Sequence, residues 1–207
     1  MIESPPTLTD HARALVSDFM KRIGAVLYRA GVHPDIITVL GLAVVAIGAF
    51  FIMRGSVQLG GVIILLGLPL DAVDGATARA MGRKDKFGSV LDSTLDRYAD
   101  GFIFGALSYY FAVQARFDFM LLALAAMIGS FVVSYVRARA VEANLSVKIG
   151  LFDRFVRVIV LLGALLIPIR GVLEIGVAIL AVGTNVTGLQ RLWYVYTTLN
   201  KREVKGE

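Results

Sequence analysis

The chain contains no cysteine, which excludes disulfide frameworks, thiolate zinc sites and cysteine nucleophiles. Histidine is nearly absent too: His11 and His33 are the only two, too few for a histidine-rich metal cage or a convincing charge-relay triad. Charge is also sparse, at 18% of the 207 residues, against about a quarter in an average soluble domain. Apolar residues fill the difference. They make up 57% of the chain, and the mean hydropathy of +0.74 points to a membrane protein. The net charge of +5 suits an anionic lipid surface or a phosphorylated substrate. With this many apolar runs, nucleic acid is not an expected partner.

A spanning helix needs roughly 20 mostly apolar residues. The uncharged stretches are Ile36–Met53, Gly55–Leu70, Gly101–Ala115, Phe119–Val136, Val158–Ile169 and Ile175–Gln190. Several reach spanning length only by continuing into charged turns: the second through Asp71 and Asp74, the third from near Gly88, the fifth from near Phe152. Charges inside a span normally face a bundle interior or a wet cavity. The expected fold class is therefore an all-α integral membrane protein of six transmembrane helices. Of the 21 Lys and Arg residues, such a topology puts all but Arg54, Arg116 and Arg170 on one side. That side is assigned to the cytoplasm of a multi-pass cell-membrane protein, with both termini there.

Ahead of the first span, Leu15, Val16, Phe19, Ile23, Val26 and Leu27 recur at helical spacing among Asp18, Lys21, Arg22 and Arg29. This predicts an amphipathic helix, either at the cytoplasmic interface or packed on the end of the bundle. No signal peptide is expected, because Met1–Gly31 has no apolar core with a small-residue cleavage site. Residues 1–32 thus form a juxtamembrane segment, and residues 33–207 form one membrane domain with a short C-terminal tail. Tyr109, Tyr110, Phe111 and Trp193 fall near span ends and are expected as interfacial anchors.

The densest chemistry runs from Leu70 to Asp96: LDAVDGATARAMGRKDKFGSVLDSTLD. Asp71 and Asp74 are three apart, so both carboxylates share a helix face, and Asp92 and Asp96 do the same at a spacing of four. Asp100 lies one turn further on. Two adjacent antiparallel helices would bring four carboxylates to one membrane depth, where their repulsion calls for cations among them. An all-oxygen set without thiol or nearby imidazole suits Mg²⁺ or Mn²⁺. Two such ions would clamp a phosphoryl group. Gly75 leaves room for a ligand beside the helix, and Pro69 interrupts the ladder just before Asp71. The competing reading pairs these aspartates with Arg79, Arg97 and the basic loop as packing salt bridges.

The pattern Asp71-x2-Asp74-Gly75-x2-Ala78-Arg79-x8-Gly88-x3-Asp92-x3-Asp96 resembles the complete signature of the CDP-alcohol phosphotransferase family, at every fixed position. The resemblance implies transfer of a phosphatidyl-type group from a CDP-alcohol to a hydroxyl, with release of CMP. It further implies that Asp71 and Asp92 bridge two divalent ions, that Asp74 binds one, and that Asp96 binds the other and acts as general base. Gly75, Ala78 and Arg79 would surround the cytidine end, with Asp85 and Gly88 nearby. Pro34, Asp35, Ile36 and Ile37, at the entry to the first span, are similar to part of the family's CDP-lipid site.

A second basic cluster bears on the acceptor. SYVRARA supplies Arg137 and Arg139, GLFDRFVR supplies Arg154 and Arg157, and Lys148 lies between them. Guanidinium groups match phosphate oxygens bidentately, so this reads as a cradle for an additional phosphate. The alternative is a set of positive-inside residues touching lipid headgroups, with Arg154 partly neutralised by Asp153. These segments and FGSVLDSTLDRYADGFIFGAL are similar to the prokaryotic branch of the family that uses inositol 1-phosphate. That likeness implies CDP-diacylglycerol or CDP-archaeol as donor, and adds Arg191 to the acceptor-phosphate set. Asp85 stands where that branch carries a small hydroxyl residue, and Asp153 where it carries Glu. The runner-up acceptor is glycerol 3-phosphate; a non-enzymatic ion or phosphate carrier is the distant alternative, disfavoured because the charges sit at helix ends. Gly101-x3-Gly105 permits close helix approach, and the family resemblance implies a homodimer.

Overall fold

The computed structural model describes residues 31, 33–67 and 86–205. Among them are six helices and no strand: α1 (Pro34–Met53), α2 (Val57–Gly67), α3 (Lys86–Val113), α4 (Phe117–Glu142), α5 (Arg154–Leu166) and α6 (Val172–Lys205). Each predicted apolar stretch overlaps one of them, in order. Three, α1, α4 and α6 as far as Lys201, are long and apolar enough to cross a membrane. The predicted amphipathic helix before the first span lies outside the described residues.

Local sequence explains where the helices start and stop. Pro34 opens α1, where its missing N–H costs nothing and its fixed φ suits the first helical position. Asp35 follows in the first turn, favourably placed against the helix dipole. The Asp153 side chain caps α5 by accepting from the Val156 N–H at 3.0 Å. Pro168 ends the same helix, because the residue before a proline is pushed out of the α region; Ile167 is extended. At the end of α4, Asn144 takes a left-handed φ of 55°, which asparagine tolerates better than most residues. The Asn144 N–H then donates to the Val141 carbonyl at 3.0 Å and the Leu145 N–H to that of Ala140 at 2.8 Å, a Schellman-type stop. Leu145 and Ala140 bury together with Val147. This stop aims the 143–153 loop back toward α6.

Two compact units divide the described residues. One takes those up to Val44 and from Leu65 to Asp96, the other those from Val45 to Ile64 and from Arg97 onward. In the second unit Phe104, Leu107 and Phe111 of α3 are fully buried along with Ile52, Leu165 and Leu180. Within it α1 and α2 meet through Gly48 and Gly60: a Cβ on Gly60 would stand 2.6 Å from the Gly48 carbonyl oxygen. Large apolar side chains elsewhere, among them Ile47, Phe50, Leu121, Ile128 and Val182, remain half exposed or more. Such a surface belongs against hydrocarbon rather than water.

Helices α4 and α5 both pack on α6. Polar groups join α4 to α6: Asn185 Nδ2 donates to the carbonyls of Ala125 at 2.9 Å and Ala181 at 2.8 Å. Gly129 of α4 makes room for this clamp, since a Cβ there would collide with Thr184 and Asn185. Gly129→Ala should therefore destabilise by about 1–3 kcal/mol. Gly163→Ala, where a Cβ meets nothing within 4 Å, should be neutral or slightly stabilising. Thermal denaturation of both variants in detergent checks the contrast; equal midpoints would mean that α4 and α6 have slack at Gly129.

The three exceptional basic residues, Arg54, Arg116 and Arg170, occupy the short turns α1–α2, α3–α4 and α5–α6. Arg116 pairs with Glu174 and stacks over Phe111 and Phe119, at 5.4 and 4.5 Å from the ring centroids. This corrects the expectation for Phe111: it is completely buried as the platform for Arg116, whereas Tyr109 and Trp193 are exposed as interfacial anchors would be.

Candidate functional site

Asp92 and Asp96 occupy successive turns near the start of α3, both partly buried. Four residues advance a helix by little more than one turn, so the carboxylates share a face. Gly88 lies one turn before Asp92 on the same helix. At the start of α1, Pro34 and Ile37 are buried, Asp35 is partly buried and Ile36 is exposed. His33 stands with Nδ1 3.4 Å from Asp35 Oδ2. The other residues of the signature, Asp71, Asp74, Gly75, Ala78 and Arg79, lie outside the described residues, as do Asp85 and Pro69.

Among the described residues no three carboxylate or imidazole side chains gather as a metal site. Asp92 and Asp96 do fit half of one. They are carboxylates on one helix face, in a chain without thiols, and that donor chemistry suits hard divalent ions.

The arginines expected to hold the acceptor phosphate come from three helices. Arg137 and Arg139 are exposed near the end of α4, Arg154 is exposed at the start of α5, and Lys148 is exposed on the intervening loop. Arg139 pairs with Glu142 one turn along its own helix. Arg157 and Arg191, by contrast, are only 6% and 5% exposed. Arg157 Nη2 reaches Asp100 Oδ2 at 3.4 Å, and Arg97 and Arg154 are further cations close to Asp100. Arg191 has Arg137, Arg157 and Asp153 as charged neighbours.

Backbone carbonyls hold Arg191 in place. Its Nε donates to Ile149 O and its Nη1 to Val133 O, both at 2.9 Å. The Phe152 N–H donates to Thr187 Oγ1 at 3.2 Å, so α6 grips the 143–153 loop at two points. The structure thus brings Arg137, Arg154, Arg157 and Arg191 into one neighbourhood and ties Arg139 to Glu142. Sequence reasoning missed Asp100 as the partner of Arg157. The signal was present, since Asp100 continues the four-residue register of Asp92 and Asp96.

The described residues thus carry two separate chemical features: paired carboxylates near the start of α3, and guanidiniums gathered from α4, α5 and α6. The chain belongs to the CDP-alcohol phosphatidyltransferase family, whose model matches residues 31–189. It is 36% identical over 194 residues to a phosphatidylinositol phosphate synthase of Mycolicibacterium smegmatis, covering 90% of this chain and 87% of that one. Over 182 residues it is 35% identical to an archaetidylinositol phosphate synthase of Pyrococcus horikoshii, covering 87% and 93%. Among solved structures it resembles the phosphatidylinositol phosphate synthase of Mycobacterium tuberculosis with CDP-DAG bound. The TM-score is 0.81 at 32% identity, over 86% of this chain and 94% of that one. A second structure of that protein holds manganese and citrate, with the same TM-score of 0.81 and coverage of 86% and 89%.

Proposed function

We propose that this enzyme transfers a phosphatidyl or archaetidyl group from a CDP-lipid to inositol 1-phosphate and releases CMP. The observation that supports this acceptor most directly is Arg157, almost wholly buried within the neighbourhood of Arg137, Arg154 and Arg191. Among the described residues these four guanidiniums concentrate positive charge in one neighbourhood. A phosphate dianion on the acceptor would neutralise it, and the guanidinium fork favours such an anion geometrically. The named relatives act in the same direction.

The six helices are read as six spans, with both termini, the juxtamembrane segment 1–32 and the active site on the cytoplasmic side. The positions of Arg54, Arg116 and Arg170 in alternate turns support that topology. Two divalent ions, Mg²⁺ or Mn²⁺, would be held by Asp71, Asp74, Asp92 and Asp96. When bound, they supply charge stabilisation for the diphosphate and for the transferred phosphoryl group. Pro34, Asp35, Ile36, Ile37, Gly75, Ala78, Arg79, Asp85 and Gly88 line the CDP-lipid site in this reading, and the enzyme works as a homodimer. Arg137, Arg139, Lys148, Arg154, Arg157 and Arg191 make up the acceptor-phosphate set, Arg157 being its centre.

In the reaction, Asp96 takes the proton from an inositol hydroxyl. The resulting oxygen attacks the lipid-side phosphorus of the CDP-lipid and forms the new P–O bond. The bond from that phosphorus to the bridging oxygen breaks, and CMP leaves toward Arg79. The arginine set fixes the acceptor so that the attacking oxygen is aligned, a positional contribution that lowers the entropic part of the barrier.

CMP release by purified protein tests the reading, with Mg²⁺ and either CDP-diacylglycerol or CDP-archaeol. The acceptors compared are inositol 1-phosphate, glycerol 3-phosphate, free inositol and serine. Turnover with inositol 1-phosphate alone is expected. Turnover with glycerol 3-phosphate alone would keep the phosphate cradle but replace the acceptor, and turnover with free inositol or serine would remove the cradle.

A further inference from the structure

At the ends of α4, α5 and α6 away from Arg137, Arg157 and Arg191, the second unit holds an open cavity of about 940 Å³ that the proposed reaction does not use. Every residue lining it belongs to that unit. The turns α1–α2, α3–α4 and α5–α6 all contribute to it, through Gly55, Arg116 and Arg170 among others. Helix α4 has 26 residues, and its rise separates Arg116 from Arg137 by about 30 Å. The cavity is therefore a place apart from the arginine cradle, and its size is that of an ordinary small-ligand pocket.

The described lining sets two guanidiniums, Arg116 and Arg170, against one carboxylate, Glu174. Arg116 pairs with Glu174 and stacks on Phe111 and Phe119, so these two charges offset each other in fixed positions. Arg170 is a second cation close to Glu174. It is exposed, and among the described residues no hydrogen bond or ion pair holds its side chain. Asp118, in the first turn of α4, does not line the cavity. One positive charge thus stands unmatched in the described lining. Neutral donors extend it, from the amides of Gln58 and Gln114. Gln114 Nε2 gives one N–H to the Tyr110 carbonyl at 3.1 Å and has a second to offer. Ile167, Ile169 and Ile175 line the same cavity, all three exposed.

A cation with amide donors on one hand and bare isoleucines on the other suits an amphiphile better than a small solute. Phosphate oxygens would meet the guanidinium and amide N–H groups, while the attached chains lie on the isoleucines and the apolar helix surface beyond. Basic pockets between membrane helices recognise anionic headgroups in this way. We infer that this cavity binds the headgroup of an anionic phospholipid, with Arg170 selecting for its charge. A zwitterionic lipid carries the same phosphate but brings a cation of its own, which Arg170 repels. In the six-span topology the site faces the leaflet opposite the active site. It is independent of which acceptor the enzyme uses.

The test titrates phosphatidylglycerol and phosphatidylcholine onto full-length protein in detergent and counts bound lipid by native mass spectrometry. Parent, Arg170→Gln and Arg54→Gln are compared. Arg54 occupies the α1–α2 turn and stacks on Phe50 at 6.0 Å, but it does not line the cavity, so its variant reports charge spread over that end of the protein. The parent should bind one phosphatidylglycerol more tightly than phosphatidylcholine. Losing one charged hydrogen-bond partner corresponds to roughly a tenfold effect, so Arg170→Gln should weaken phosphatidylglycerol about tenfold and leave phosphatidylcholine unchanged. Arg54→Gln should stay near the parent. Equal affinity of the parent for both lipids overturns the inference, and so does an equal loss in Arg54→Gln, which marks diffuse attraction. If Arg170→Gln does not fold, Gln58→Glu brings the same change of charge to the lining; weaker phosphatidylglycerol binding is expected, and unchanged binding overturns the inference. A parallel arm follows the melting temperature with inorganic phosphate. Stabilisation by phosphate but not by phosphatidylglycerol, abolished in Arg170→Gln, would make the ligand a soluble phosphate and overturn the lipid assignment.

Discussion

Asp96→Asn is expected to lower kcat by about 10²–10⁴-fold, the usual range for losing a positioned general base. The substitution keeps the size and shape of the side chain and removes the basic oxygen. Asp96 is partly buried on α3, one turn from Asp92, so it also belongs to the proposed metal set. The two roles separate by titrating the metal. A ligand-only role would let saturating Mg²⁺ restore most of the rate, because the remaining carboxylates still bind the ions. A base role leaves kcat low at any Mg²⁺ concentration, while CDP-lipid binding, measured by retention of a labelled donor, is largely kept. Near-parental kcat at high Mg²⁺ would remove Asp96 as the base and leave deprotonation to another group. The steepness of the expected loss reflects where the acid–base work is concentrated: the two histidines, His11 and His33, lie outside the signature.

How much of this was legible in the sequence depends on the kind of signal. The helices were legible because each carries a long uncharged apolar run. Chain order followed, and α3 and α5 start at Lys86 and Arg154, close to the expected Gly88 and Phe152, whereas α6 runs on to Lys205, well past the expected Gln190. The pairing of Asp92 with Asp96 was legible because it is a property of one helix. What sequence spacing does not carry is the partner across helices. The Arg157–Asp100 contact joins residues 57 apart, and Arg116–Glu174 joins residues 58 apart. Phe111 shows the same limit: at a span end an aromatic ring reads as an interfacial anchor, and only packing against Arg116 and the core reveals it as buried. Arg139 and Lys148 counted equally with Arg157 in the sequence. Burial is what distinguishes them, and burial depends on which face of α4 or α5 meets α6.

Arg191→Met is expected to be the most damaging change outside the carboxylates, through stability rather than through lost charge. Arg191 is buried at 5% exposure, and its Nε and Nη1 satisfy the carbonyls of Ile149 and Val133. Methionine fills much of the same volume but donates nothing, so two carbonyls are left without their donor. The penalty for such losses is about 2–5 kcal/mol, or roughly a 5–15 °C fall in melting temperature for a domain of this size. The damage should be local as well as global. Ile149 lies on the 143–153 loop, which α6 otherwise holds through Thr187 and Phe152, and that loop leads into Asp153, Arg154 and Arg157. Loosening it should increase proteolytic cutting between Asn144 and Asp153 and weaken acceptor binding as a consequence. Arg191→Lys should fall between the parent and Arg191→Met, since one ammonium on a flexible stem does not reproduce the fixed fork that serves two carbonyls. A melting temperature within about 2 °C of the parent, together with a raised acceptor KM, would reverse the order of causes. Arg191 would then act chiefly as a direct phosphate ligand, and its carbonyl contacts would be a resting position that the bound acceptor displaces. The expected result instead makes the cradle a structure in two layers, with Arg157 turned to the ligand and Arg191 holding the loop that places it.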